Sequence, residues 1–112
     1  MLDGFYVIKG DGLTQYTRSF SRRALNALFS ALAVSKVGTT PVLTLGIEHK
    51  NRDDTAFVSA GSFGAISASS TSTPYTEVIS GLREEVRFSF SISATNAWEG
   101  YLLRILAPAW FN

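Results

Sequence analysis

Residues 86–93 alternate without a break: Val86, Phe88, Phe90 and Ile92 are apolar, and Arg87, Ser89, Ser91 and Ser93 are polar. A repeat of two is the period of an extended chain, in which successive side chains leave on opposite faces; a helix cannot gather such a series on one side. The segment predicts a strand with one buried and one wet face. Such a strand requires neighbours to pair with and a second layer to cover its apolar side. Leu43, Leu45 and Ile47 repeat the pattern, with Thr44 and Glu48 on the opposite face. Lys50-Asn51-Arg52-Asp53-Asp54 then reads as a turn whose side chains hydrogen-bond their own backbone, with residues 55–59 returning as the second arm of a hairpin.

Shorter runs extend this reading. Phe5-Tyr6-Val7-Ile8 predicts a first strand, closed by a turn at Gly10-Asp11-Gly12, and residues 13–20 continue extended. Residues 66–73 form a Ser/Thr tract that fits either an exposed edge strand or a connection. Residues 75–79 lead to Gly81, and residues 101–106 are apolar on both faces apart from Arg104, as expected of a strand covered from both sides and able to meet a partner. Residues 22–33 support two assignments. Leu25, Leu28, Phe29 and Leu32 fall at helical spacing behind Ser21 as an N-cap, whereas Leu28, Ser30, Leu32 and Val34 alternate with Phe29, Ala31 and Ala33. The strand is the preferred reading, because the segment runs into the inter-strand connection Gly38-Thr39-Thr40-Pro41; a short helix is the alternative. Seven to nine short strands predict an all-β fold, an antiparallel β-sandwich or jelly roll, formed as a single domain over residues 1–112.

Hydrophobic residues make up 46% of the chain and charged residues 17%, a balance that favours a packed core over disorder. A net charge of +1 offers no general attraction to nucleic acid or to an acidic membrane, so any partner is read by shape and apolar contact. The chain has no cysteine, which excludes disulfides, thiolate metal ligands and thiol nucleophiles. Residues 24–34 are interrupted by Asn26 and Ser30 and fall short of the roughly 20 apolar residues a spanning helix needs. Met1-Leu2-Asp3-Gly4 shows no basic, apolar leader, so synthesis in the cytoplasm is expected.

Nothing in the chain assembles a catalytic set, and no cofactor or metal is called for. His49, the single histidine, lies at a strand end with no evident nucleophile. Asp53-Asp54 lacks the spacing of a calcium loop, and Glu84-Glu85 are adjacent in an extended segment and so point apart. The glycine pairs lack the strand-to-helix setting of a phosphate loop. Two groups remain as contact candidates: the aromatics Trp98, Tyr101, Trp110 and Phe111, and the basic cluster Arg18, Arg22 and Arg23 interleaved with Tyr16 and Phe20. Trp98 and Tyr101 would also suit a sugar-stacking platform, and the arginines could neutralise nucleic acid only weakly at this net charge. An enzyme would need the fold to bring His49 and a carboxylate into one pocket.

The run Gly38-Thr39-Thr40-Pro41-Val42-Leu43-Thr44-Leu45-Gly46-Ile47-Glu48-His49-Lys50-Asn51, followed by Asp53-Asp54-Thr55 and Phe57, resembles small β-sandwich virion proteins of tailed phages and prophages. Gly81-Leu82-Arg83, Val86-Arg87-Phe88 and the closing Ala107-Pro108-Ala109-Trp110 are similar to the later half of the same proteins. The resemblance covers residues 20–112 and carries no catalytic signature. It implies a structural part of a virion, made in the host cytoplasm: a capsid decoration protein or a minor head or tail component. Such a protein would form a homo-oligomer, a trimer being one candidate, and bind a major capsid or tail protein. A carbohydrate-binding or host-surface adhesion module is the alternative.

Overall fold

The computed structural model describes residues 4–9, 13–69 and 72–112 and contains ten strands among them. In chain order they are β1 (Gly4–Lys9), β2 (Gln15–Tyr16), β3 (Phe20–Ser21), β4 (Asn26–Val37), β5 (Val42–Lys50), β6 (Val58–Ile66), β7 (Tyr75–Ile79), β8 (Glu85–Ser93), β9 (Gly100–Ile105) and β10 (Ala109–Phe111). The protein is all-β, and every strand pair is antiparallel. The glycine turn at Gly10-Asp11-Gly12, the start at Met1-Leu2-Asp3, and Ser70 and Thr71 of the Ser/Thr tract lie outside the described residues.

Two five-stranded sheets face each other. In the first, β9 lies between β1 and β4, while β10 continues along the same edge of β4 that β9 occupies, and β7 pairs the opposite edge. In the second, β8 lies between β5 on one side and the short β2 and β3 on the other, and β6 borders β5. Five of the ladders are nested in sequence: β1 with β9, β2 and β3 each with β8, β4 with β7, and β5 with β6. The chain is thus one long hairpin of paired strands, wound so that the pairs alternate between the two layers.

The alternation that predicts β8 is realised in full: Val86, Phe88, Phe90 and Ile92 are buried, and the intervening side chains face outward. Residues 26–37 form a twelve-residue strand, so the short-helix alternative over 22–33 is not what the chain adopts. Ala27, Phe29, Ala31 and Ala33 turn inward, and that two-residue series outweighs the helical spacing of Leu25, Leu28 and Leu32 because both edges of the strand find partners. The hairpin after Pro41 forms as expected, but its second arm begins at Val58 and runs to Ile66 through two register shifts. The Ser/Thr tract leaves the sheet after Ile66.

Between the sheets lies one contiguous core. Its centre is aromatic: Phe29 of the first sheet meets Phe88 of the second edge-on at 5.6 Å, and Tyr6 meets Phe90 at 5.5 Å. Phe20 stacks on Phe88 at 6.3 Å, and Phe63 approaches it at 6.4 Å. Contacts of this kind contribute beyond simple burial and fix how the two layers sit on one another.

Candidate functional site

The connections β4–β5 and β8–β9 lie side by side at one end of the sandwich, held together by one side chain. Glu99 is the only charge between Arg87 and Arg104 in the sequence, and it is 1% exposed. Its carboxylate accepts from the Thr40 hydroxyl at 2.5 Å, the Thr40 backbone N–H at 3.0 Å, and the Asn96 backbone and side-chain N–H groups at 3.1 and 3.3 Å. The Thr40 hydroxyl oxygen in turn accepts from the Thr95 N–H at 3.1 Å, so each loop is tied to the other. A carboxylate surrounded by donors is stabilised in its charged form. The Thr40 hydroxyl and N–H, followed by the Asn96 donors, hold the Glu99 pKa at about 2 despite its burial. A group ionised that firmly neither donates nor collects protons near neutrality; it is a clasp.

Gly38 makes room for the clasp. Its φ of 93° lies in the left-handed region, and a Cβ there would sit 2.2 Å from Glu99 Oε2. Only glycine satisfies both conditions.

The clasped end presents Trp98, which is 66% exposed, beside Val37, which is 50% exposed. Together with Ile8, Gly100 and Leu102 they line a shallow, mostly apolar groove whose wall is closed by Glu99 and Tyr101. A large aromatic in solvent on a loop immobilised by five hydrogen bonds is pre-organised for contact, since little ordering entropy remains to be lost when a partner covers it.

The other contact candidates are dispersed. Tyr101 is 2% exposed, and its ring belongs to the core rather than to a contact surface. Its hydroxyl donates to the carbonyls of Pro41 and Ile66 at 3.0 and 3.2 Å, and burial, with a smaller push from Tyr75, raises the phenol pKa so that it remains a donor. Trp98 and Tyr101 therefore do not form a stacking platform. Trp110 is half-buried against Phe20 and Phe29, edge-on at 6.2 and 6.3 Å, so the fold itself covers it. Phe111 remains 44% exposed, opposite Asn26 in the ladder.

The basic cluster also comes apart. Arg18 and Arg23 are exposed, whereas Arg22 is half-buried and donates through Nη1 to the Leu82 carbonyl. Phe20 faces the core. Tyr16 lies against Arg87, whose guanidinium is sandwiched between the Tyr16 and Phe57 rings at 4.0 Å from each centroid while its Nε bonds Glu48 at 2.8 Å.

His49 Nδ1 accepts from the Arg83 N–H at 3.2 Å, and desolvation, then the Arg83 charge, lowers its pKa. Asp54 closes its own turn by accepting from the Asn51 N–H at 2.8 Å and pairs with Arg83 at 3.4 Å. Glu84 accepts from the Arg52 N–H and Glu85 pairs with Lys50, so the adjacent carboxylates serve different partners. These groups hold the far end of the second sheet together.

Sequence reading identifies Trp98, takes Gly38 only as part of a connection, and passes over Glu99 and Val37. The available signal is the lone charge in the uncharged run between Arg87 and Arg104. The chain matches no protein-family model, and comparison with curated proteins finds no match.

Proposed function

We propose that this chain is a structural protein of a virion of the tailed-phage type, a capsid decoration or minor head or tail component, which works by assembly and docks its clasped loop end onto a capsid or tail protein. The observation that carries the reading is Trp98, two-thirds exposed on a loop that a buried carboxylate holds rigid. The nested ladders support it further. Eight positions paired first with last, second with second-last and so on, with β2 and β3 sharing one position and β10 prolonging β9, are what a jelly roll would require. Jelly rolls serve viral capsids and lectins alike, so the choice between them rests on the site. A groove combining Trp98 with Val37 and Leu102 suits an apolar protein surface better than a sugar, which needs convergent hydrogen-bonding groups around the ring it stacks on.

The test uses particles purified by density gradient from cells that encode the chain, with the protein supplied as wild type or as Trp98→Ala. Co-sedimentation of the wild type, reduced at least tenfold by Trp98→Ala while the variant's urea midpoint is unchanged, is the expected result. Equal co-sedimentation of both forms, or none of either, refutes the assignment.

A further inference from the structure

The connection from β7 to β8 crosses from the first sheet to the second, and its backbone groups are handed to several separate segments. The Gly81 N–H donates to Asn26 Oδ1 at 3.3 Å, and the Leu82 N–H to the Leu25 carbonyl at 2.8 Å. The carbonyls of Leu82 and Glu84 accept from the Arg22 guanidinium and the Arg22 N–H. Leu82 is 1% exposed, so its side chain anchors the connection in the core as well. Of these partners only that of the Arg83 N–H titrates near neutrality: it is His49 Nδ1, at 3.2 Å. Two contacts couple the same stretch to the turn after β5, since Arg83 pairs with Asp54 and Glu84 accepts from the Arg52 N–H at 3.0 Å.

A neutral imidazole that accepts through Nδ1 carries its one proton on Nε2, so the only lone pair left for a second proton is the one the Arg83 N–H occupies. Protonation and this hydrogen bond exclude each other. We propose that His49 is an acid-operated catch on the β7–β8 connection: a proton on Nδ1 releases Arg83 together with the 51–54 turn, while Leu82 stays anchored. The charges around the ring favour release once the proton is on. Arg83 is the cation that faces it from the connection, and the carboxylates of the adjoining elements are engaged elsewhere. Asp54 accepts from Arg83 and from the Asn51 N–H, Glu48 of β5 is bonded to Arg87 of β8, Glu85 of β8 to Lys50 of β5, and Glu84 to the Arg52 N–H. Arg52 and Asp53 of the turn are exposed, and the ladder partners of His49 are the apolar Val86 on β8 and Val58 on β6. Burial, then the Arg83 charge, lowers the His49 pKa, so the bonded form prevails at neutral pH and release follows as pH falls through the lowered value. The other ties of the connection are backbone groups, the Asn26 amide and the Arg22 guanidinium, none of which titrates there, so the opening is local.

The experiment follows the amide and imidazole NMR signals of the intact protein from neutral pH downward until the imidazole is fully protonated; His49 is the single histidine, so its titration is read directly. Amide hydrogen exchange is measured alongside, each rate taken relative to the intrinsic rate at that pH. The expected result is an Arg83 amide whose shift follows the His49 midpoint and whose protection falls by about tenfold or more across it. The amides of Leu82 and of Phe88, the latter donated to Thr17 Oγ1 at 3.0 Å, keep their protection. In His49→Gln the side-chain oxygen offers an acceptor in place of Nδ1 but takes no proton, so Arg83 protection stays level over the same range. An Arg83 amide that keeps its protection beside a fully protonated His49 overturns the inference. So does an equal loss at Leu82 and Phe88, which is global unfolding, or the same loss at Arg83 in folded His49→Gln. Should that variant not fold, the wild-type comparison of Arg83 with Leu82 and Phe88 decides on its own.

Discussion

Replacing Tyr101 by phenylalanine removes one oxygen atom and leaves the ring in place, which isolates what the hydroxyl does. The side chain is 2% exposed, and its oxygen lies 3.0 Å from the Pro41 carbonyl and 3.2 Å from that of Ile66. One hydroxyl proton is shared between these acceptors, so the substitution costs one buried hydrogen bond and leaves a carbonyl short of a donor. No cavity of consequence opens, so the transfer and cavity terms that make large-to-small changes expensive are absent. A lost hydrogen bond with a stranded buried acceptor is worth roughly 1–2 kcal/mol. For a domain of this size that corresponds to a fall in Tm of roughly 5–10 °C. Urea titration should show a lower midpoint at unchanged slope, because the surface exposed on unfolding is the same. Particle attachment and oligomeric mass should not change. A stability loss below about 0.3 kcal/mol, or weakened attachment at full stability, would refute the reasoning and return Tyr101 to the contact surface.

Three further outcomes follow from the polar network. Glu99 is held at about 2 against an ordinary 4.5, so the unfolded chain binds more protons in that interval; the stability it contributes is complete above 4.5 and is lost as pH falls toward 2. Glu99→Gln should lower the urea midpoint at pH 7 and flatten the acid limb of midpoint against pH. His49 has a folded pKa below 6.5, so its contribution is complete above pH 6.5 and declines as pH falls through the lowered value; in His49→Gln the slope over that window should vanish, as read from the same titration. Gly38→Ala forces a side chain into a left-handed backbone and onto the Glu99 carboxylate, and should destabilise by about 1–3 kcal/mol in thermal melts, with the Trp98 fluorescence shifting as the clasp loosens.

Period was the informative signal in this chain, and its success and failure have physical causes. Residues 86–93 and 43–47 were legible because each strand buries one face only, which writes the structure into the alternation. Residues 26–37 carry small and large apolar residues on both faces, so a helical and an extended series coexist, and only the ladders on both edges decide between them. Those ladders join positions dozens of residues apart and leave no local mark. The same blindness explains Tyr101 and Trp98. Both are aromatics on either side of Glu99, yet Tyr101 follows the inward phase of β9 and Trp98 precedes the strand, on the loop that Glu99 ties to Thr40. Burial of Glu99 was illegible because a carboxylate is ordinarily outside unless its donors are assembled, and here they come from residues near position 40 as well as from its own turn.

The distribution of polar groups argues that this chain acts through surfaces. The three ion pairs among the described residues lie in the second sheet and its far end, where Arg87 is held between two rings and bonded to Glu48, Lys50 is paired with Glu85, and Arg83 bridges toward Asp54. Among the described residues the one firmly buried carboxylate, Glu99, is satisfied by donors on two loops, and its pKa is lowered, not raised as acid catalysis at neutral pH requires. Left over is an apolar outer face of the first sheet, carrying Leu28, Leu32 and Val78, that runs on through Leu102 and Val37 to the Trp98 loop. An open sheet face of that character promotes uncontrolled association unless something specific covers it. An apolar face that ends at an exposed tryptophan on a hydrogen-bonded loop is what the proposed attachment through Trp98 requires.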